Sequence, residues 1–391
     1  FYIYFATNRM TTKTATRVVQ EATILQKRLD KQLKGLEGRN NKVIDHIERE
    51  GNLLQDFIAP LGNSDKGGKD NRVMKFHSNG SVQLLLQNKK HPLHRHAVTQ
   101  TAEKLGIPTK YARELAYGEE KWKRDLVADI LNTHSFNTDR SKVLLRMVGN
   151  EVRGVLSDSY RRLDTPTIYG AFFEEAAKVG SKVVGAYADD TRSWVEIVRP
   201  EVVPIETEHN GTTVMVFGAR ISNSDFGDGS LMLSAYNMQV VCLNGMVSTN
   251  VMRQVHSGRK IPEGIELSRE TYKLDSLTQA SLVKDSVGQL LSIDSIKRHG
   301  KMVQTASGIL IEDIVSEVPR LRDLGMHKGE TETVIKKLMD GNPEEGITGR
   351  NTVWKLSQAI NATANTIDDK RRKRDLEEIA GTFLLNKTAK A

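Results

Sequence analysis

Apolar residues recur at three- and four-residue steps near the start of the chain, at Val18, Ala22, Leu25, Leu29, Leu33 and Leu36. That spacing is the stripe of an amphipathic helix. Gly35, Gly38 and Asn40-Asn41 interrupt it, and Val43, Ile47, Leu54 and Ile58 resume it. Residues 11–59 therefore read as two polar helices, forming either an antiparallel hairpin or an oligomerisation arm with a coiled-coil seam. Leu61 to Asp70 has the composition of a linker. Beyond it, Val73–Phe76 and Val82–Leu86 flank Ser78-Asn79-Gly80. Asn-Gly between two apolar runs predicts a hairpin with a type I′ turn, whose two central residues need positive φ. From His96 to Asn132 the period is helical again, and Thr99–Leu115 has the cadence of a helix-turn-helix, with Ala102 packed, Gly106 in the turn and Pro108 opening the second helix.

The period shortens at Val143–Val148 and Val152–Leu156, a second hairpin about Gly149-Asn150. A helix follows to about Val179, with Asp164 or Thr165 as its cap and Pro166 in its first turn. Strands are expected at 182–188, 193–199, 212–221, 230–236 and 239–243, mostly antiparallel because their connections are short. Ser268 to Leu385 is helical, with breaks near Gly300, Gly325 and Gly341-Asn-Pro343. The predicted fold is α+β, a mainly antiparallel central sheet with packed helices, flanked by helical N- and C-terminal regions. Its expected divisions are a charged helical arm (1–60), a linker (61–71), a hairpin plus helical subdomain (72–140), a central β-rich core (141–265) and a C-terminal helical region (266–391).

Composition narrows the function. The 391 residues carry a net charge of +8, which favours polyanionic partners. No apolar run approaches the ~18 residues of a membrane span. A single cysteine, Cys242, excludes an intrachain disulfide and a cysteine zinc cage, and suits a reducing cytoplasm. It reads as a small buried residue in a strand. Met10 reads as a natural start, with the preceding nine residues as an extension.

Catalytic signatures are missing, so neither an enzyme nor a cofactor is expected. His91, His94 and His96 cluster without a nearby carboxylate or cysteine, around Pro92, and predict no metal site. Asp164 reads as a cap, and Asp225 and Asp228 as turn residues. The basic run Lys370–Arg374 is cancelled by Asp368, Asp369, Asp375, Glu377 and Glu378. On a helix it would form the i,i+4 pairs Arg371–Asp375, Lys373–Glu377 and Arg374–Glu378, a solvated face. The central strands differ. Arg146 and Arg153 lie on one hairpin, Arg161 and Arg162 follow it, and Arg192, Arg199 and Arg220 stand on neighbouring strands, interleaved with Tyr160, Tyr187, Trp194 and Tyr236. Cations with interspersed rings suit a groove for a single-stranded backbone, although a half-exposed sheet with arginines turned to solvent gives the same pattern.

Three motifs carry a resemblance: Val155-Leu-Ser-Asp-Ser-Tyr-Arg-Arg-Leu-Asp164, Ile221-Ser-Asn-Ser-Asp-Phe-Gly-Asp-Gly-Ser230 and Val241-Cys-Leu-Asn-Gly-Met246. With Leu105–Tyr111 and Trp354–Thr363, they make the chain resemble a phage- and plasmid-borne family of unknown function over roughly residues 95–385. The resemblance implies a mobile-element origin, and with it the cytoplasm of a bacterial host cell. A weaker similarity, at the level of fold alone, is to the single-strand annealing proteins of phage recombination, and it implies a helix at 165–179 packed across the sheet. The resulting expectation is a phage-type oligomer that binds single-stranded DNA and promotes annealing, with possible phage or host recombination partners. Arg146, Arg153, Arg161, Arg162, Arg192 and Arg220 would neutralise phosphates, Tyr160 and Trp194 would support bases, and Asn223 and Asn244 would shape turns. Two alternatives remain: a regulatory or anti-host protein-interaction factor, and a duplex-DNA regulator reading through Thr109, Lys110 and Arg113.

Overall fold

Helix α1 (Thr12–Asn52) runs unbroken for 41 residues in the computed structural model, which describes residues 12–63, 69–86, 88–139, 142–241, 244–256 and 268–389. One helix stands where two were expected. Gly35 and Gly38 sit on its exposed side with open space where a Cβ would be, so they weaken the helix without breaking its packing. Asn40 is buried and donates from Nδ2 to the carbonyl of Val183 at 3.1 Å. Tertiary contact thus carries the helix through the interruption. Replacing Gly35 and Gly38 by alanine is expected to raise stability by about 0.5–1 kcal/mol each, which a shift in the urea midpoint at unchanged slope would register.

Residues 54–60 are not helical but form β1 (Leu54–Pro60). The next strands are β2 (Met74–Ser78), β3 (Val82–Leu86) and β4 (Lys89–Pro92), which build a three-stranded antiparallel sheet. The β2–β3 connection has three residues, since Ser78 pairs with Val82. Only Gly80 is left-handed there, at φ 77°, so the turn is not type I′. Helices α2 (Arg95–Lys104), α3 (Thr109–Tyr117) and α4 (Lys121–Asn137) cover this sheet. Val98, Ala102, Leu105, Ala112 and Leu115 join its core, and Gly106 makes the α2–α3 turn at φ 68°.

Strands β5 (Lys142–Val148) and β6 (Glu151–Ser157) pair with β1 in the order β1-β5-β6. Helix α5 (Thr165–Ala177) then leads into the main sheet: β7 (Lys182–Ala188), β8 (Ser193–Val198), β9 (Val203–Thr207), β10 (Gly211–Asn223), β11 (Leu231–Gln239) and β12 (Asn244–Gln254). Its order is β12-β11-β10-β8-β7, with β9 on the far end of β10, and every pairing is antiparallel. The fold is therefore α+β around a central antiparallel sheet, as its alternating segments implied. The expected strand at 239–243 is a correction: β11 ends at Gln239 and a turn precedes β12. Cys242 lies outside the described residues, as does the side chain of Asn244.

Alternation decides which face each strand residue joins. Val195, Ile197, Ala219, Ile221 and Leu233 point inward against Ile168 and Phe172 of α5 and Val283 and Val287 of α6 (Arg269–Leu290). Val198, Val216, Tyr236 and Met238 point outward against Ala22 and Leu29 of α1. The rest of the chain, α7 (Ile293–Gly308), α8 (Glu317–Asp323), α9 (Lys328–Asp340), α10 (Val353–Ala364) and α11 (Lys370–Thr388), encloses α10, all twelve of whose residues are buried. No helix among the described residues is long and apolar enough to cross a membrane.

Candidate nucleic-acid interface

Each arginine of the expected groove is already engaged by the protein. Arg146 is 1% exposed and reaches Asp56 at 2.9 Å, Asp164 at 2.5 Å and the Asp225 carbonyl at 3.1 Å. Arg220 is 2% exposed and holds Glu196 at 2.7 Å together with Glu377. Arg153 pairs with Glu50 and Glu151, Arg161 with Asp275, Arg162 with Asp56 and Arg192 with Asp228. Arg199 pairs with Glu201. Trp194 and Tyr160 are buried, Tyr160 stacked on His256 with its hydroxyl donating to the Ser224 carbonyl at 3.1 Å. For Arg146 and Arg220, the two fully buried ones, the expected phosphate contact gives way to an internal role. A buried guanidinium between two carboxylates has neither access to a phosphate nor charge to spare for one. These residues lace the β1-β5-β6 sheet, the 157–164 loop and the main sheet together.

Both buried clusters carry an excess of carboxylate. Arg220 faces Glu196 and Glu377, and burial pushes Glu377 up to about 7 although Arg220 opposes the shift. Arg146 faces Asp56 and Asp164 beside Asp225, which burial lifts to about 6. In both, burial favours the neutral form of the carboxyl.

The motif at 221–230 is a clamp. Ser224 Oγ accepts from the amides of Phe226 and Asp228 and donates to the Thr191 carbonyl at 2.7 Å. Asp225 accepts from the Thr165 amide at 3.0 Å, capping α5 from another loop, while Asp164 turns to Arg146 instead. Asn223 donates to the Leu163 carbonyl at 2.7 Å and faces His256 Nε2 at 3.0 Å. Asp228, expected in a turn, also takes the Thr191 hydroxyl at 2.7 Å. The histidines of 91–96 part company: His91 faces the Asn150 carbonyl, His94 lies by Asp190 and His96 faces the Phe226 carbonyl. Among the described residues no group of three or more metal-ligating side chains gathers.

A different set of cations is free. Helix α1, the edge of the main sheet and the start of α11 enclose a cleft of about 210 Å³. Leu33 and Leu36 line one wall, and Tyr187 lines another, stacked on Trp194 at 4.0 Å between ring centres. Arg374 lies over Trp194 at 5.3 Å. Glu196 and Glu377 form the buried end, and Arg39, Lys370 and Lys373 have no ion pair among the described residues.

The basic run is thus divided by function rather than solvated as a unit. Arg371 binds Asp189 and Asp228, each at 2.8 Å, and Arg372 binds Glu330 at 2.5 Å. Of the expected i,i+4 pairs only Arg374–Glu378 forms, at 2.9 Å. Arg371 prefers Asp189 and Asp228 because the first turn of α11 packs against the β7–β8 loop, where those acids already converge. A signal was present: 370, 373, 374 and 377 follow the i, i+3, i+4, i+7 rule and share one helix face. Lys110 and Arg113 of α3 are exposed, Thr109 half-buried, and Arg95 lies over Tyr117 at 5.2 Å. Comparison with protein-family models, with curated proteins and with solved structures finds no match to this chain, so the site is read from its own geometry.

Proposed function

We propose that the protein binds single-stranded nucleic acid through the cleft between α1, the main sheet and α11. The supporting observation is the coincidence of three unpaired cations, Arg39, Lys370 and Lys373, with the Tyr187–Trp194 stack in one cleft. Cations neutralise phosphates, and a ring at the wall replaces the stacking that a base loses when it leaves its neighbours. A volume of about 210 Å³ falls below the roughly 300–1,000 Å³ of pockets for drug-sized ligands. It suits one unstacked base, which a duplex does not offer. The net charge of +8 draws a polyanion to the surface as a whole.

Fluorescence anisotropy with labelled single-stranded and duplex DNA across a salt series tests this reading. The double variant Lys370→Glu/Lys373→Glu should bind single strands at least about tenfold more weakly. Its log–log salt slope should fall by about 1.4, two phosphate contacts at ~0.7 each. Its melting temperature is measured alongside, because Lys373 acts on the buried Glu377 although it forms no ion pair with it. Unchanged affinity in that variant would reject the cleft, and a duplex preference would move attention to the exposed face of α3.

A further inference from the structure

Strand β1 is one edge of the β1-β5-β6 sheet, and among the described residues no strand lies beyond it. The Leu53 carbonyl accepts from the Gly149 amide at 3.1 Å, one step before a register that runs from Leu54↔Val148 to Pro60↔Lys142. Backbone groups alternate in direction along a strand. Gln55, Phe57 and Ala59 therefore turn theirs to β5, and Leu54, Asp56, Ile58 and Pro60 turn theirs outward. The opposite edge of the sheet is covered, since His94 donates its amide to the Val152 carbonyl of β6 at 2.9 Å. β1 lacks the usual guards of an edge: it carries no lysine and no bulge, and its one proline is its last residue. Its single charge, Asp56, is turned to Arg146 and Arg162. Phe57 is 44% exposed and Ile58 45%, one on each face of the sheet.

A row of outward amides and carbonyls is completed by another strand, and β1 itself fits the place. Phe57 is the midpoint of Leu54–Pro60. A two-fold axis through it sets the strand antiparallel to its own copy along its whole length. Asp56 then exchanges backbone bonds with Ile58 of the second copy, and Leu54 donates to the carbonyl of Pro60 of the second copy. Every outward amide finds a carbonyl, and the amide that proline lacks falls at the strand end. The two Phe57 rings meet on one face as a non-hydrogen-bonded pair, the closer kind of cross-strand neighbour. On the other face Ile58 stands opposite Asp56, so the two aspartates are not opposed. An unrelated strand could satisfy the backbone, but the centred register, the ring pair and the separation of like charges belong to β1 against itself. We infer that the protein forms a two-fold dimer through β1, with one antiparallel sheet continuous across both copies. No residue of β1 lines the α1–α11 cleft, so the dimer and the proposed strand binding stand independently.

Sedimentation equilibrium of the intact chain, free of nucleic acid and from micromolar concentration upward, should give twice the chain mass. Phe57→Lys and Phe57→Asp each set like charges opposite one another across the axis. Each should raise the dimer dissociation constant at least about tenfold, the worth of an aromatic pair before any repulsion is added. Because Phe57 is exposed, both variants should keep the melting temperature of the wild type. Mixed in equal amounts, they set opposite charges across the axis and should form a heterodimer. A wild type that stays monomeric throughout would overturn the self-pairing and leave the edge to a strand of another protein. A dimer indifferent to both variants would overturn the role of β1. Variants that remain apart when mixed would overturn the register about Phe57.

Discussion

Replacing Arg146 by leucine is expected to cost about 3–5 kcal/mol of stability, the usual penalty for removing one partner of a buried ion pair. The guanidinium sits at 1% exposure between Asp56 and Asp164, with a third bond to the Asp225 carbonyl. Its removal takes the guanidinium away from Asp164 and from the buried Asp225, while Asp56 keeps Arg162. Lysine should rescue little, because one ammonium cannot reproduce a fork that meets partners on β1, the 157–164 loop and the 221–230 motif. Urea denaturation of the leucine and lysine variants measures both effects. A loss below about 1 kcal/mol in the leucine variant would show that the cluster is solvated and weak. The contrast with Lys373, whose replacement should alter binding, separates the two kinds of basic residue in this chain.

The second expectation concerns pH. Glu377 is raised from its ordinary value of 4.5 to about 7 by burial, against the pull of Arg220. Glu196 and Tyr236 face it from the sheet, and Lys373 lies on its own helix. A carboxyl raised in the folded state holds its proton more tightly there than in the unfolded chain. Its contribution is therefore most favourable below 4.5 and is lost as the pH rises through about 7. The histidines oppose it. Burial lowers His256 from 6.5 to about 4 and shifts His96 and His299 in the same direction, so their contribution declines as the pH falls below 6.5. Asp225, raised to about 6, works on the side of Glu377. The wild-type profile between these limits mixes both signs, and the informative quantity is the difference between wild type and Glu377→Gln. Relative to wild type, the variant should gain stability from pH 5 to pH 8, at up to about 1.4 kcal/mol per pH unit. Thermal melts at matched ionic strength give the comparison, and a pH-independent difference would mean that Glu377 stays ionised beside Arg220.

Much of the architecture could be read from periodicity. The alternation at 143–156 and 182–221 marks strands that exist, and the apolar steps of α1 mark the side that lies on the sheet. Four strands escaped for local reasons, β1 among them because Leu54 and Ile58 keep the helical step of α1. β4 is four residues with two lysines and a proline, and β9 carries Pro204, tolerable because β9 pairs only with β10. β12 opens on Asn244-Gly245, a turn signature, yet Gly245 is demanded by the sheet, since a Cβ there would strike the Tyr236 hydroxyl. The site was less legible. Arginine counts carried no information about the acids that meet them, because Asp56 and Arg146 are 90 residues apart and Arg220 and Glu377 are 157 apart. Conversely, Lys370 and Lys373 looked neutralised by their sequence neighbours and stand unpaired, because the fold spends the intervening arginines on other elements.

The two covers of the outer sheet face come from opposite ends of the described chain. Gln26 of α1 bonds to the Pro200 carbonyl and the Val202 amide, and Arg371 of α11 bonds to Asp189, at separations of 174, 176 and 182 residues. During synthesis α1 emerges first and has no surface to lie on until the sheet follows. The sheet, once made, must wait for α11 before Arg220 gains its second carboxylate. Such long closures make folding slow and leave apolar faces bare along the way. The cleft between α1, the main sheet and α11 is thus among the last features of the molecule to come into being.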